Sequence, residues 1–283
     1  MFPKTLAPYG SHRLSDLLQA GVVIPFWKAG TILVQLIERS GTFSWPLAPI
    51  SIFLNSEGNV SILPVEARHS DTVYQAPECR LSTGNDARPS AQVYGLCALL
   101  YHMLVGVPPV AEEPLAVRRA TLREAIERMS LLGEAGKELW KILDRGLRLE
   151  PTRRHKTTEE LKQELEGLSA YLNTEALQAL QIRGVSGVYA GQEIPLRFPM
   201  VLGRQPGDCK ILFPPDTPGV SRRHCRLQLV WGTVVVTDLG STYGTALDKV
   251  PLPPWQARNW PVGSELSVGS SRQKLLLEKK PGP

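Results

Sequence analysis

Three polar clusters late in the chain carry residues suited to holding a phosphate. The first is Val201-Leu202-Gly203-Arg204 and the second is Ser221-Arg222-Arg223-His224, about 17 residues on. The third, Asp238-Leu239-Gly240-Ser241-Thr242-Tyr243-Gly244-Thr245, opens about 17 residues after Ser221. An arginine guanidinium is a permanently charged planar fork that matches phosphate oxygens, and Arg204, Arg222 and Arg223 supply three. Ser221 and Thr242 add hydroxyl donors, and no nucleophile and base stand together beside them. The chemistry on offer is capture of an anion.

Something must position these groups. Cys225 to Val230 and Thr233 to Thr237 are alternating apolar runs, which predict strands of a half-buried sheet. The polar clusters then fall at strand ends and turns, where loops present binding groups on a rigid scaffold.

Gly-Arg, then Ser-Arg-x-His, then Asp-Leu-x-Ser-Thr-x-Gly-Thr resembles the forkhead-associated (FHA) domain, a reader of phosphothreonine peptides. The resemblance covers roughly 177–280 and implies an all-β sandwich with its binding loops at one end. It implies that Arg204 and Ser221 contact phosphate, that Arg222 supports it, and that Thr242 shapes a slot for the threonine methyl. Gly203, His224 and Gly244 would support the site structurally, His224 by bracing its loop. The family usually carries Asn after that Thr, gripping the peptide backbone; Tyr243 stands there instead. Phosphate capture is untouched by the change, and the backbone grip is the contact it affects. Gly219 and Val220, being uncharged, would face the peptide beyond the phosphothreonine and favour an apolar residue there.

With 283 residues and 42% apolar content the chain is long enough for about two domains. Cys79, Cys97, Cys209 and Cys225 lack CxxC spacing and the five histidines are dispersed, so neither a disulfide framework, a metal site nor a cofactor is expected. No apolar run nears the 18 or so residues of a membrane span, and the start lacks the apolar core of a signal peptide. A cytoplasmic protein without membrane insertion is expected. The net charge of +5 is uneven: residues 1–176 carry a net of −1 and residues 177–283 a net of +6. The excess sits with the phosphate-holding clusters, as attraction for an anionic ligand requires. Basic residues form no block and no strip with interleaved aromatics, which argues against nucleic acid.

The first half predicts helices at Leu14 to Leu18, Trp27 to Glu38, Val93 to Val105, Leu115 to Met129, Gly136 to Leu147 and Thr158 to Leu172. Ile50 to Leu54 and Val60 to Leu63, joined by a Gly58 turn, predict a hairpin. A short connection without Gly or Pro, Ala170 to Leu177, separates the halves, so a long flexible tether is excluded.

Gln75-Ala-Pro-Glu78, the apolar helix from Gln92 to Gly106 and Leu149-Glu-Pro-Thr-Arg-Arg154 resemble, in order, landmarks of the helical lobe of a protein kinase. The resemblance covers roughly Leu14 to Leu172 and implies an ion pair between Glu78 and Arg154. Kinase chemistry needs a glycine-rich loop, a phosphate-pairing Lys, a catalytic Asp and Asn, and a metal-binding Asp. Pro46 occupies the place of the catalytic base, Ser51 that of the metal-binding Asn, and Pro64 that of the metal-binding Asp. Gln92 replaces the helix Asp that holds the catalytic loop, and fewer than about 20 residues precede the first helix, too few for a small lobe. The resemblance is therefore to a truncated, degenerate lobe, a pseudokinase. Its relic loop residues Phe43, Trp45, Leu47 and Ile50 either face a protein partner or fold inward as local core.

The expectation is a multi-domain, non-enzymatic adaptor: a mainly α-helical truncated kinase-like lobe over 1–172 followed by an all-β FHA sandwich over 177–280. Its partners would be a phosphothreonine-containing protein, such as a serine/threonine kinase or its substrate, and a protein docked on the helical lobe. Two alternatives are a structural assembly protein using the FHA surface without phosphate, and a kinase completed by a partner chain.

Overall fold

The computed structural model describes residues 12–39, 47–55, 58–63, 69–79, 88–110, 115–129, 133–269 and 272–281. The chain divides into two compact units, Met1–Leu168 and Ser169–Pro283.

The first unit is helical, with α1 (Leu14–Gln19), α2 (Phe26–Glu38), α3 (Pro89–Val105), α4 (Leu115–Arg128), α5 (Glu134–Gly146) and the first part of α6 (Thr158–Ala179). β1 (His12–Arg13), β2 (Ile52–Leu54) and β3 (Val60–Ile62) form a small antiparallel sheet in that order. Every residue of α3 from Val93 to Val105 is buried, as befits a helix that is apolar all round and packs against α2, α4 and α5. Gly106 ends it in the left-handed conformation (φ 91°), its N–H bonded to the His102 carbonyl at 2.9 Å. α6 starts as its composition predicts, with Thr157 Oγ1 accepting the Glu160 N–H at 3.0 Å.

Arg154 is the polar centre of this unit. Its side chain is fully buried and donates to Glu78 Oε1 (2.7 Å) and Oε2 (2.8 Å), so the expected Glu78–Arg154 pair is formed. Leu47 and Ile50 are buried, 3% and 8% exposed, so these residues are local core. Phe43, Trp45, Pro46 and Pro64 lie outside the described residues.

The division between the units falls within α6, and the connection expected at Ala170 to Leu177 is helix. The last turns of α6 belong to the second unit because they are packed there. Ala176 joins its core, Asn173 Oδ1 accepts the Gly232 N–H at 2.8 Å, and a Cβ on Gly232 would lie 3.1 Å from Leu172.

The second unit contains β4 (Leu180–Ser186), β5 (Glu193–Ile194), β6 (Met200–Gly203), β7 (Ile211–Leu212), β8 (Cys225–Val230) and β9 (Thr233–Asp238). β10 (Thr245–Leu247), β11 (Val250–Pro251), β12 (Ala257–Asn259), β13 (Glu265–Val268) and β14 (Lys274–Lys279) complete it. One sheet has the order β11-β10-β13-β14-β4-β5 and the other β12-β9-β8-β6-β7, antiparallel except for β6 with β7. Their inner faces share one core that includes Leu202, Leu227, Val236, Trp260, Leu266 and Leu277. Register brings the polar clusters together. Leu202 pairs with Cys225 and Cys225 with Asp238, so β6 and β9 end, and β8 begins, along one row. Arg204, Ser221 to His224, and Leu239 to Thr245 therefore leave the sheet at the same end.

Candidate functional site

Gly203 sets how closely the first two clusters approach. A Cβ there would stand 2.2 Å from the Arg222 carbonyl oxygen, so only glycine lets β6 lie against the Ser221-Arg222 loop. That carbonyl accepts from Arg204 N (2.9 Å), Gln205 N (3.0 Å) and Cys209 Sγ (3.3 Å). Gly203→Ala is expected to break this seam, and thermal melting of the full chain should reveal it as a lowered midpoint. An alanine variant with an unchanged melt would refute the role.

Arg204 is half-buried. Its Nε donates to the Val220 carbonyl and its Nη1 to the Pro215 carbonyl, which ties the 213–220 loop to the end of β6 and leaves Nη2 without a partner among the described residues. Ser221 Oγ accepts the Thr242 N–H at 3.1 Å and lies 3.5 Å from Thr242 Oγ1. The second and third clusters thus meet hydroxyl to hydroxyl. Arg222 and Arg223 are exposed, and Tyr243 is 71% exposed.

His224 is fully buried and joins the two loops. Its Nδ1 accepts the Ser221 N–H at 3.0 Å, which assigns the ring proton to Nε2, and Nε2 donates to the Gly244 carbonyl at 2.9 Å. Burial pushes its pKa below the ordinary 6.5, against the opposing effects of the Gly244 bond and the Asp238 charge. The unfolded chain thus takes up a proton near pH 6.5 that the folded ring takes up only lower. The contribution is full above pH 6.5 and is lost as pH falls through the folded value. Melting of the full chain is expected to fall between pH 7 and 5, and His224→Gln to flatten that slope; a parallel slope in the variant would refute the assignment. His102, whose pKa burial pushes down to about 4, adds a slope of the same sign from the helical unit.

Asp238 is the clamp of the third cluster, a role not assigned to it from the sequence. Its Oδ1 accepts the Gly240 and Ser241 N–H groups, both at 2.9 Å, and its Oδ2 accepts Ser241 Oγ (2.6 Å) and Thr245 Oγ1 (2.5 Å). Burial raises the pKa of this carboxyl, and the bonds from Ser241 and Thr245 outweigh that and hold it below 3.8. The signal available in the sequence was an Asp two and three residues before Gly and Ser, the spacing of an Asx turn. Gly269 was also missed: its N–H donates to the Gly244 carbonyl at 3.1 Å, and a Cβ there would stand 2.3 Å from the Gly219 carbonyl oxygen.

Gly203, Arg204, Ser221, Arg222, His224, Thr242, Tyr243 and Gly244 are thus brought to one end of the sandwich. Val220 is not presented to a ligand as expected. It is 2% exposed and belongs to the core, because an apolar β-branched side chain beside the sheet gains more by burial. Ser51 and Gln92 belong to the helical unit, where Ser51 Oγ donates to the Ala48 carbonyl at 2.7 Å and Gln92 is half-buried in α3. Among the described residues no group of His, Cys, Asp and Glu is placed to hold a metal, and no helix is long and apolar enough to cross a membrane.

Residues 200–269 match the family model of the FHA domain. No curated protein matches the chain. Among solved structures, one from a study of phosphothreonine-dependent FHA domain interactions is 24% identical, covering 37% of this chain and 99% of its own, with a TM-score of 0.31. The FHA domain of an Arabidopsis thaliana hypothetical protein is 25% identical, covering 38% and 91%, with a TM-score of 0.34. The N-terminal FHA domain of an S. cerevisiae protein, solved with a phosphothreonine peptide, is 18% identical, covering 36% and 94%, with a TM-score of 0.31.

Proposed function

We propose that the FHA domain on the C-terminal side of this chain reads phosphothreonine, and that the chain is a non-catalytic, cytoplasmic signalling adaptor. The observation that carries this reading is the convergence of Arg204, with its Nη2 unpartnered among the described residues, and the adjoining hydroxyls of Ser221 and Thr242 at one end of the sandwich. A phosphothreonine brings about −1.5 to −2 charges and three acceptor oxygens at neutral pH. The Nη2 of Arg204 and two hydroxyls answer those oxygens with charge-assisted bonds of about 1.5–3 kcal/mol each. His224 and Asp238 act behind them, holding the loops and so lowering the ordering cost of binding. The test is capture of partners by the full chain from lysate with and without phosphatase treatment, followed by titration of a phosphothreonine peptide and its unphosphorylated copy. Equal binding in both arms would favour a structural, phosphate-independent role instead.

For the helical unit we propose a docking platform derived from a kinase lobe. The buried Glu78–Arg154 pair, linking segments 76 positions apart, supports this derivation. So does Ser51, whose hydroxyl is spent on the Ala48 carbonyl, while Pro46 and Pro64 offer neither a base nor a metal ligand. Calorimetric titration with Mg-ATP is expected to give no heat; a Mg²⁺-dependent micromolar isotherm would overturn the non-catalytic reading.

A further inference from the structure

One large aromatic side chain stands in water on the turn that carries Thr242, and a second stands on the 252–256 loop packed against that turn. Tyr243, the next residue, is 71% exposed, and Trp255 is 50% exposed. Trp255 is held in place from below. Its N–H donates to the Asp238 carbonyl at 2.9 Å, and its ring lies so close over Gly240 that a Cβ there would be 3.0 Å away. Its backbone sits at φ 62°, a left-handed conformation that costs a non-glycine residue free energy. The fold thus holds a strained tryptophan by a fixed hydrogen bond and yet leaves half of the side chain unburied. Burial does not explain that arrangement, and large exposed aromatics are the informative departure from an ordinary surface.

The position ties the pair to the phosphate slot. Gly240 and Thr242 are two residues apart, so their Cα atoms lie at most about 7 Å from each other. The Trp255 ring is therefore within the reach of about three extended residues of any peptide whose phosphate is held at Thr242. Tyr243 projects from the rim itself, between Thr242, which is bonded to Ser221, and Gly244, which is bonded to His224. Rigid aromatic faces of this kind take proline and bulky apolar side chains at low entropic cost.

Resting on the phosphothreonine reading, we propose that Tyr243 and Trp255 form an aromatic rim that receives a proline or bulky apolar residue flanking the phosphothreonine. The reader then selects phosphothreonine in an apolar rather than an acidic context.

The test is an array of phosphothreonine peptides with each flanking position varied, probed with the full chain and repeated without phosphate. Enrichment of proline, aromatic and bulky aliphatic residues at one or more flanking positions is expected. Tyr243→Ala and Trp255→Asn, the latter chosen because Asn tolerates φ > 0, should each weaken the enriched peptides about three- to tenfold. In both variants the difference between enriched and glycine-flanked phosphopeptides should shrink toward none while binding stays phosphate-dependent, which separates a lost contact from a misfolded site. Phosphate-dependent binding without flank preference, or with acidic flanks enriched by Arg222 and Arg223, would overturn the rim and leave the phosphate reading intact. The same apolar preference on the unphosphorylated array would overturn the phosphate reading and support the rim.

Discussion

Arg204→Ala is expected to reduce phosphothreonine-peptide affinity by a hundredfold or more, to below detection in a titration of the full chain. A charge-assisted bond contributes about 1.5–3 kcal/mol, so each one lost costs about ten- to a hundredfold. The substitution also removes the bonds that hold the Val220 and Pro215 carbonyls, so the 213–220 loop loses its tie to β6. The two effects are separable. Arg204→Lys keeps the charge without the fork and is expected to retain weak, phosphate-dependent binding. Ser221→Ala leaves Arg204 untouched, deletes one hydroxyl and the acceptor of the Thr242 N–H, and should cost about tenfold. Unchanged affinity in Arg204→Ala with an unaltered melt would end the phosphothreonine reading.

Glu78→Ala is expected to destabilise the helical unit by about 3 kcal/mol, the low end of the range for breaking a buried ion pair because Glu78 keeps 23% of its side-chain exposure. Arg154 cannot relax toward water. Its guanidinium spends all five N–H groups: two on Glu78, and the others on the carbonyls of Arg148 (2.6 Å), Ser90 (3.1 Å) and Leu149 (2.9 Å). Its charge also lies 5.0 Å from the centre of the Tyr94 ring. Removing the carboxylate strands a positive charge inside the fold. Although burial pushes the Glu78 carboxyl up, the bonds and charge of Arg154 hold it below 4.5 on balance. The pair's contribution is therefore present above about pH 4.5 and lost as pH falls through the folded value. Denaturant unfolding of the full chain gives the measurement, and a shift of under about 1 kcal/mol would refute the account. Phosphopeptide affinity should not change, since the pair belongs to the other unit.

The sequence by itself determined the parts that follow from local chemistry. The alternation of Cys225 to Val230 and of Thr233 onward predicted β8 and β9, because a strand's side chains change face at every residue. The apolar run ending at Gly106 predicted α3 and its stop, because glycine alone enters the left-handed cap without penalty. Residue types and spacing also singled out Arg204, Ser221 and Thr242, since a phosphate demands charge and donors wherever they are placed, and the FHA resemblance added His224 as a loop brace. Tertiary structure decided what each group is engaged with. Val220 turned into the core rather than toward a ligand because the sheet beside it had apolar surface to cover. α6 ran through the expected boundary because Ala176 and Asn173 found partners on the second unit. Asp238 became a four-bond clamp only once its turn closed over it. Arg204 was left with Nη2 for a ligand because the loop carbonyls of Val220 and Pro215 were there to take Nε and Nη1. Each of these depends on groups far apart in the chain meeting within a few ångströms. Strand register fixes such meetings, and composition carries no record of them.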